Sequence, residues 1–165
     1  MTFKSFIIRN IYKFLNIYDF SLSKIKKNFD IYKYKDYEEY KKIQIETNYR
    51  KIDRVFADNK TLKLIIVEIK NNFSDQMILG ICRGTRNGYE QKFFIDNLDC
   101  EVIGTEISDN AEKFKNTIMW DFHDRKKEWE KKFNFLYSNL LDQSYKTMEA
   151  LDVWFSQIIK WYYDY

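Results

Sequence analysis

Two glycines and a glutamate stand at spacings that suit a ribose-containing ligand. Gly84 and Gly88 belong to the segment "ILGICRGTRNGYE", residues 78–90, which holds three of the four glycines of the chain. A turn from a strand into a helix needs glycine where φ is positive or where a ligand approaches the backbone. Glu106 comes 18 residues after Gly88, close to the spacing at which an acid binds ribose hydroxyls in doubly wound folds. The three residues therefore predict a ligand site at the start of a helix.

The glycine turn differs from the turn that binds the pyrophosphate of dinucleotides. It reads G-x-x-x-G instead of G-x-G-x-x-G, and Arg86 stands where a pyrophosphate loop prefers a small residue. A spaced pair of glycines is a weak signal alone. The strand before it, the helix after it and two further strands that end in Glu106 and Asp121 strengthen the prediction.

These residues need a sheet to position them, and the hydrophobic pattern predicts one from Met77 onward. Short apolar segments alternate with segments of helical pattern, which is typical of a parallel sheet covered by helices. The predicted strands are "MILGIC", "CEVIGTEI", "NTIMWDF" and "FNFLYSN", and the predicted helices are "YEQKFFIDNL", "NAEKFK", "DRKKEWEKK" and "YKTMEALDVWFSQIIKWYY". We predict an α/β fold, a Rossmann-like three-layer sandwich whose mostly parallel sheet has about four strands in the order 3-2-1-4.

Helices are also predicted before the sheet. Apolar residues recur at helical spacing over Phe3–Tyr18, Asp36 can cap a second helix, and Asn59–Phe73 has the pattern of a third. We therefore divide the chain into an N-terminal helical extension, residues 1–75, and a Rossmann-like domain, residues 76–165.

Four segments in order, "GTRNGYE", "VIGTEIS", "WDFHD" and "FNFLYSNLLDQSY", together resemble class I S-adenosylmethionine-dependent methyltransferases. The resemblance covers about residues 77–155 and implies S-adenosyl-L-methionine as the cofactor, with a methyl acceptor that the sequence does not name. The cofactor-binding residues that it implies are Gly84, Thr85, Arg86, Gly88, Glu106, Ile107, Asp121, Phe122 and Asn139.

The same resemblance implies a role for each part of this set. The glycine turn would line the methionine side of the cofactor, and Glu106 would hold the ribose. Ile107 would flank the adenine, with Asp121 and Phe122 near its amino edge. Asn139 and Asp142 would lie at the end of the fourth strand, where methyl acceptors usually approach.

The chain departs from the family pattern at several places. Cys82 replaces the acid common at the end of the first strand, and Gln143 stands where the most similar group has histidine. The closing segment "IIKWYYDY" lacks the pattern of a fifth strand. The methyltransferase domain is therefore predicted to lack strands 5–7. The exposed edge of its fourth strand is expected to favour a homo-oligomer.

Two other functions stay open. A truncated or inactive domain could serve as a non-catalytic binding or interaction module with a degenerate cofactor site. The segment "DRVFADNKTLKLIIVEIKNN" also imitates the D…E-x-K pattern of restriction-like nucleases, in which carboxylates hold Mg²⁺ and a lysine steadies the attacking water. Asp53 or Asp58, Glu68 and Lys70 would form that site. Alternatively, Glu68 and Lys70 are surface positions of an amphipathic helix.

Composition narrows the function classes. Cys82 and Cys100 are too few for a disulfide framework and indicate a reducing, cytoplasmic setting. His123 is the only histidine, which excludes a metal site built from several histidines. No apolar run is long enough for a transmembrane segment. Residues 1–60 carry 14 Lys and Arg against 8 Asp and Glu. This excess suits a solvated helical face better than a nucleic-acid surface, so nucleic acid is not a predicted partner.

Overall fold

Eight helices and strands make up the part of the chain that can be described. A computed structural model describes residues 33–73 and 76–159, so the helix predicted over Phe3–Tyr18 lies outside the described residues. The elements are α1 (Tyr37–Arg50), α2 (Asn59–Asn72), β1 (Ile78–Arg83), α3 (Tyr89–Asn97), β2 (Cys100–Glu106), β3 (Thr117–Met119), β4 (Phe135–Tyr137) and α4 (Thr147–Gln157). Short 3-10 helices lie at Asp109–Lys113, Lys127–Trp129 and Leu141–Gln143.

The strands form one parallel sheet in the order β3-β2-β1-β4. β1 pairs with β2 along its length, with Ile78 opposite Cys100 and Arg83 opposite Thr105. This arrangement confirms the predicted α/β fold and strand order. Because parallel strands end at the same edge, the turn after β1 and Glu106 at the end of β2 are brought together.

One face of the sheet is covered by α2 and α3. Asp58 caps α2 by accepting the N–H of Thr61 at 2.9 Å, and the apolar residues of α2 follow at helical spacing. The predicted helix over Asn59–Phe73 is therefore confirmed. The buried residues of this layer are Leu62, Ile66, Ile69, Phe73, Ile78, Cys82, Phe94, Leu98, Val102 and Phe135.

The opposite face carries a second apolar layer. Ile81 of β1 packs there with Trp129 and Phe133. Leu136 of β4 joins this cluster to the buried face of α4. The sheet thus lies between two helical layers, as expected for a Rossmann-like sandwich.

The predicted helix "DRKKEWEKK" is wrong in extent, since the chain forms only one 3-10 turn at Lys127–Trp129. Trp129 is the one apolar side chain of this segment, so a longer helix would have no apolar stripe to bury. Lys131 then takes φ +49, outside the helical region. The segment "NAEKFK" likewise forms a 3-10 helix, Asp109–Lys113.

The predicted C-terminal helix is too long, because α4 ends at Gln157. The carbonyl of Gln157 accepts the N–H groups of Lys132 and Phe133 at 2.9 and 3.0 Å. Ile158 then forms a parallel bridge with Phe133, just before β4. The chain therefore returns to the sheet beside the segment that leads into β4.

The two helices described before the sheet, α1 and α2, are part of its structural unit. α1 and α2 lie in the compact unit that begins at Tyr34. Asp36 caps α1 as predicted, accepting the N–H of Glu39 at 2.9 Å. None of the helices within residues 33–73 and 76–159 has the length and apolar character needed to cross a membrane.

Candidate ligand-binding cleft

The turn after β1 has the left-handed backbone that its glycines predict. Gly84 and Gly88 have φ of +67° and +72°, and Arg86 between them has φ of +50°. The N–H groups of Gly84 and Thr85 both donate to the carbonyl of Thr105, at 2.8 and 3.1 Å. The turn is therefore held against the end of β2.

Glu106 binds this turn through its side chain. It is only 5% exposed, and its Oε2 accepts the N–H of Arg86 at 2.8 Å while Oε1 accepts the N–H of Ile107 at 2.9 Å. Burial raises the pKa of Glu106, although N–H groups of Arg86, Ile107 and Ser108 favour its ionised form. Because a carboxylate has about four acceptor sites, Glu106 retains capacity for a hydroxyl donor.

A narrow cleft lies between this edge of the sheet and α1. The sheet side is lined by Gly84, Arg86, Thr105, Glu106, Ile107, Trp120, Phe122, Leu140 and Gln143, and α1 contributes Tyr40, Gln44, Thr47 and Asn48. Of the residues that the sequence assigned to the cofactor, the cleft brings together Gly84, Arg86, Glu106, Ile107 and Phe122.

The other predicted site residues lie around this cleft. Thr85 and Asn139 line a neighbouring compartment. Gly88 faces α3, where an added Cβ would lie 3.3 Å from Nε2 of Gln91. The carboxylate of Asp121 is bound by other side chains of the fold, as described below.

The C-terminal half of α1 is fixed to the loop after β2. Asn48 is buried, and its Oδ1 accepts the hydroxyl of Ser108 at 3.1 Å and the amide of Asn110 at 3.2 Å. Both partners are themselves buried. This contact holds α1 over the end of β2.

The N-terminal end of α1 is fixed to the loop after β3. The hydroxyl of Tyr37 donates to Oδ2 of Asp121. Oδ1 of Asp121 lies 2.8 Å from Nδ1 of His123, and Nε2 of His123 lies 2.9 Å from Oγ of Ser144. Burial acts to raise the pKa of Asp121, but hydrogen bonds from His123 and Tyr37 hold it below its usual value. The Asp–His–Ser order is also that of activated serine nucleophiles. Here these residues and Tyr37 join three segments beside the cleft: α1, the loop after β3 and the segment around Ser144.

The neighbouring compartment contains a second buried acid, Glu90. It is 7% exposed, and its Oε2 is buried and has no hydrogen-bond partner among the described residues. Nδ2 of Asn139 lies 3.5 Å from Oε1, a long contact. Burial raises the pKa of Glu90, partly offset by the backbone N–H of Glu90 itself and by the positive charge of Arg86.

Of the candidate nuclease residues, Asp58 and Glu68 are not brought together. Asp58 is occupied as the cap of α2, while Glu68 and Lys70 are exposed on that helix. Ten residues of helix separate Asp58 from Glu68, which is about 15 Å at the rise of an α-helix. Within the described ranges, no group of three His, Cys, Asp or Glu side chains could hold a metal ion.

Sequence reasoning missed Glu90 and the contribution of α1. Glu90 stands in the "GTRNGYE" segment itself, but its burial depends on contacts with distant parts of the chain. Tyr40, Gln44 and Asn48 recur every four residues and so share one face of α1. This spacing was a usable signal of a polar and aromatic helix face.

No protein-family model matches the chain, and no curated protein matches it.

Proposed function

We propose that the chain is an S-adenosylmethionine-dependent methyltransferase-like protein that binds its cofactor in the cleft under α1. The observation that carries the proposal is the glycine turn hydrogen-bonded to the buried carboxylate of Glu106. Ligands of parallel α/β sheets bind outside the carboxyl ends of the strands, and this turn and Glu106 lie at that edge.

The residues of the cleft suit the parts of an adenosyl group. Glu106 can accept hydrogen bonds from the ribose diol. Ile107 and Phe122 offer apolar surface to a purine. At Gly84 the side chain of Leu140 lies directly against the backbone, since a Cβ there would lie 2.4 Å from Cδ1 of Leu140.

The charge around the turn favours a cationic cofactor over a dinucleotide. Glu90 and Glu106 are both buried beside the turn, and a pyrophosphate would be repelled by both carboxylates. The guanidinium of Arg86 is engaged elsewhere, since Nη1 donates to the carbonyl of Arg54 at 3.3 Å and the group lies 4.7 Å from the ring centre of Phe56.

When bound, S-adenosylmethionine supplies an electrophilic methyl group that passes to the acceptor by in-line displacement. The contribution of the chain is alignment of donor and acceptor. Asn139, at the end of β4, and Asp142, in the following 3-10 helix, would lie on the acceptor side.

The test is calorimetric titration with S-adenosylmethionine and S-adenosylhomocysteine. Glu106→Ala should weaken binding about 10- to 150-fold, the range for loss of charge-assisted hydrogen bonds. Glu112→Ala, which removes an exposed acid of the 3-10 helix after β2, is the matched control and should bind normally. Unchanged affinity in a folded Glu106→Ala variant would remove the central assignment.

A non-catalytic binding module is the second candidate, favoured by the way α1 is fixed over a narrow cleft. Such a module would bind both cofactor forms in the titration. Methyl-labelled cofactor would then retain its label in the presence of a set of amine, hydroxyl and thiol acceptors, whereas an enzyme would transfer it.

We also propose self-association through the outer edge of β4. Within the described residues, the bridge between Phe133 and Ile158 is the only pairing on that side. Beside this edge lies an apolar groove lined by Phe135, Leu136, Ser138, Leu141, Leu151, Trp154, Phe155 and Ile158. A second copy, offering the same unpaired edge, would cover it.

We place the protein in the cytoplasm, where free thiols such as Cys82 and Cys100 are usual.

A further inference from the structure

The carboxylate of Glu90 is poorly satisfied by the chain itself. Its Oε2 has no partner among the described residues, and the carboxylate is otherwise met by the 3.5 Å contact of Oε1 with Asn139 and by the backbone N–H of Glu90 itself. A buried acceptor without a partner costs free energy, and the cost is larger when the group is ionised. A donor supplied by a ligand would remove this cost.

Glu90 is within reach of a ligand held in the main cleft. The compartment that it lines is also lined by Gly84, Arg86 and Leu140, and these same residues line the cleft beside Glu106. The two spaces therefore share the glycine turn and Leu140 as a common wall. A ligand with its ribose at Glu106 would reach Glu90 by extending a short tail past Gly84 as the side chain of Leu140, which lies against that glycine, moves aside.

The charges of the compartment select the chemistry of that tail. Arg86 is the cation whose charge acts on Glu90, and Glu106 adds a second negative charge nearby. Because the Arg86 guanidinium is turned to Arg54 and Phe56, it does not neutralise Glu90 by direct pairing. An anionic tail would be repelled, whereas an ammonium group would be attracted and could donate to both carboxylate oxygens.

We propose that Glu90 binds the α-ammonium group of the amino-acid tail of the cofactor. The inference rests on the proposed function and adds a residue that the sequence left without a role. Cys82, at the end of β1, cannot take this role, because burial raises the pKa of its thiol and it carries no negative charge at neutral pH. Glu90 on α3 would thus provide the carboxylate that is absent from the end of β1, where Cys82 stands.

The test compares S-adenosylhomocysteine with the analogue in which its α-amino group is replaced by hydrogen. The wild-type protein should bind S-adenosylhomocysteine about 10- to 100-fold more tightly, the range for a charge-assisted hydrogen bond. Glu90→Gln should reduce this ratio to below about 3-fold while leaving the affinity for the amino-free analogue unchanged. Glu101→Gln, at an exposed position of β2, should keep the wild-type ratio.

A pH series on the wild-type protein tests the same point without a variant. The ratio should fall as the pH is lowered and Glu90 becomes protonated, because a neutral carboxyl binds an ammonium group weakly. The other titratable groups near Glu90 are Cys82 of β1, Tyr137 of β4 and Glu106 of β2. The ribose hydrogen bonds of Glu106 cancel in the ratio, since both ligands carry the same ribose, and the pH dependence that belongs to Glu90 is the part that is lost in Glu90→Gln.

The outcomes separate the two proposals. If the wild-type protein binds neither ligand, the proposed function and this inference both fall. If it binds both ligands equally, or if the ratio survives in Glu90→Gln and does not change with pH, the cofactor site stands and only the assignment of Glu90 is overturned.

Discussion

Replacing Gly104 with alanine would place a methyl group where the side chain of Gln91 now lies. The added Cβ would be 1.7 Å from Oε1 of Gln91 and 2.6 Å from its Cδ. Gln91 cannot move freely, because its Nε2 donates to the carbonyl of Lys115 at 2.8 Å and to Oγ1 of Thr117 at 2.7 Å. The substitution therefore forces Gln91 out of both hydrogen bonds.

The structure allows the cost to be worked out. Two hydrogen bonds contribute about 1–3 kcal/mol together, and overpacking of a filled site adds about 1–3 kcal/mol. Gly104→Ala should therefore lower the free energy of unfolding by about 2–6 kcal/mol. Equilibrium unfolding in urea, followed by tryptophan fluorescence and far-UV circular dichroism, measures this difference.

A double-mutant cycle shows whether Gln91 is the cause. Gln91→Ala alone should cost about 1–3 kcal/mol through its two lost hydrogen bonds. In that background Gly104→Ala should cost less than about 1 kcal/mol, because the space is empty and the remaining neighbour, Oγ1 of Thr85 at 2.9 Å, can rotate. Equal costs of Gly104→Ala in the two backgrounds would refute the packing described here.

Arg83→Met should lower the free energy of unfolding by about 1–3 kcal/mol, the cost of leaving a buried acceptor unsatisfied, because Arg83 donates to the buried Oε1 of Gln157 and to Oγ1 of Thr105. Unchanged or raised stability in urea would show instead that burial of the guanidinium, whose Nε has no partner among the described residues, costs more than these hydrogen bonds and the stacking on Trp129 contribute. Glu90→Gln should be stabilising at pH 7. Burial raises the folded-state pKa of Glu90 above the ordinary 4.5, so its contribution to stability is fully present below that pH and is lost as pH rises through the folded pKa. The stability difference between variant and wild type should thus grow from pH 4.5 to pH 7, and a constant difference would contradict the burial of an unpaired carboxylate. Light scattering over a concentration series should show self-association through β4, whereas a monomer at every concentration would mean that the outer edge of the sheet is covered.

The sheet and its strand order could be predicted because they follow from local pattern. β1 and β2 are short apolar segments followed by a glycine turn and an acid, and each signal lies within a few residues. The helix predicted around Trp129 was wrong in extent, because the segment has the composition of a helix but no apolar stripe to bury. The predicted end of α4 was wrong, because the helix end is set by a hydrogen bond between Gln157 and Phe133, which are distant in the sequence.

The candidate site was predictable in its backbone but not in its contacts. The positive φ of Gly84 and Gly88 follows from residue type. The partners of Asp121 do not follow from residue type, because one of them, Tyr37, comes from α1, 84 residues earlier. The same holds for Glu90, whose nearest polar contact, Asn139, is 49 residues away. Long-range packing of this kind leaves no trace in local spacing.

The two-ended attachment of α1 has a consequence for the time that a cofactor spends on the protein. Tyr37 holds one end of the helix and Asn48 the other, and the residues between them form one wall of the cleft. Where release of the proposed cofactor requires one attachment to break, it is limited by a type of motion that takes roughly microseconds to milliseconds or longer. The dissociation rate would then report the opening of α1, so residence time and equilibrium affinity could change independently of each other.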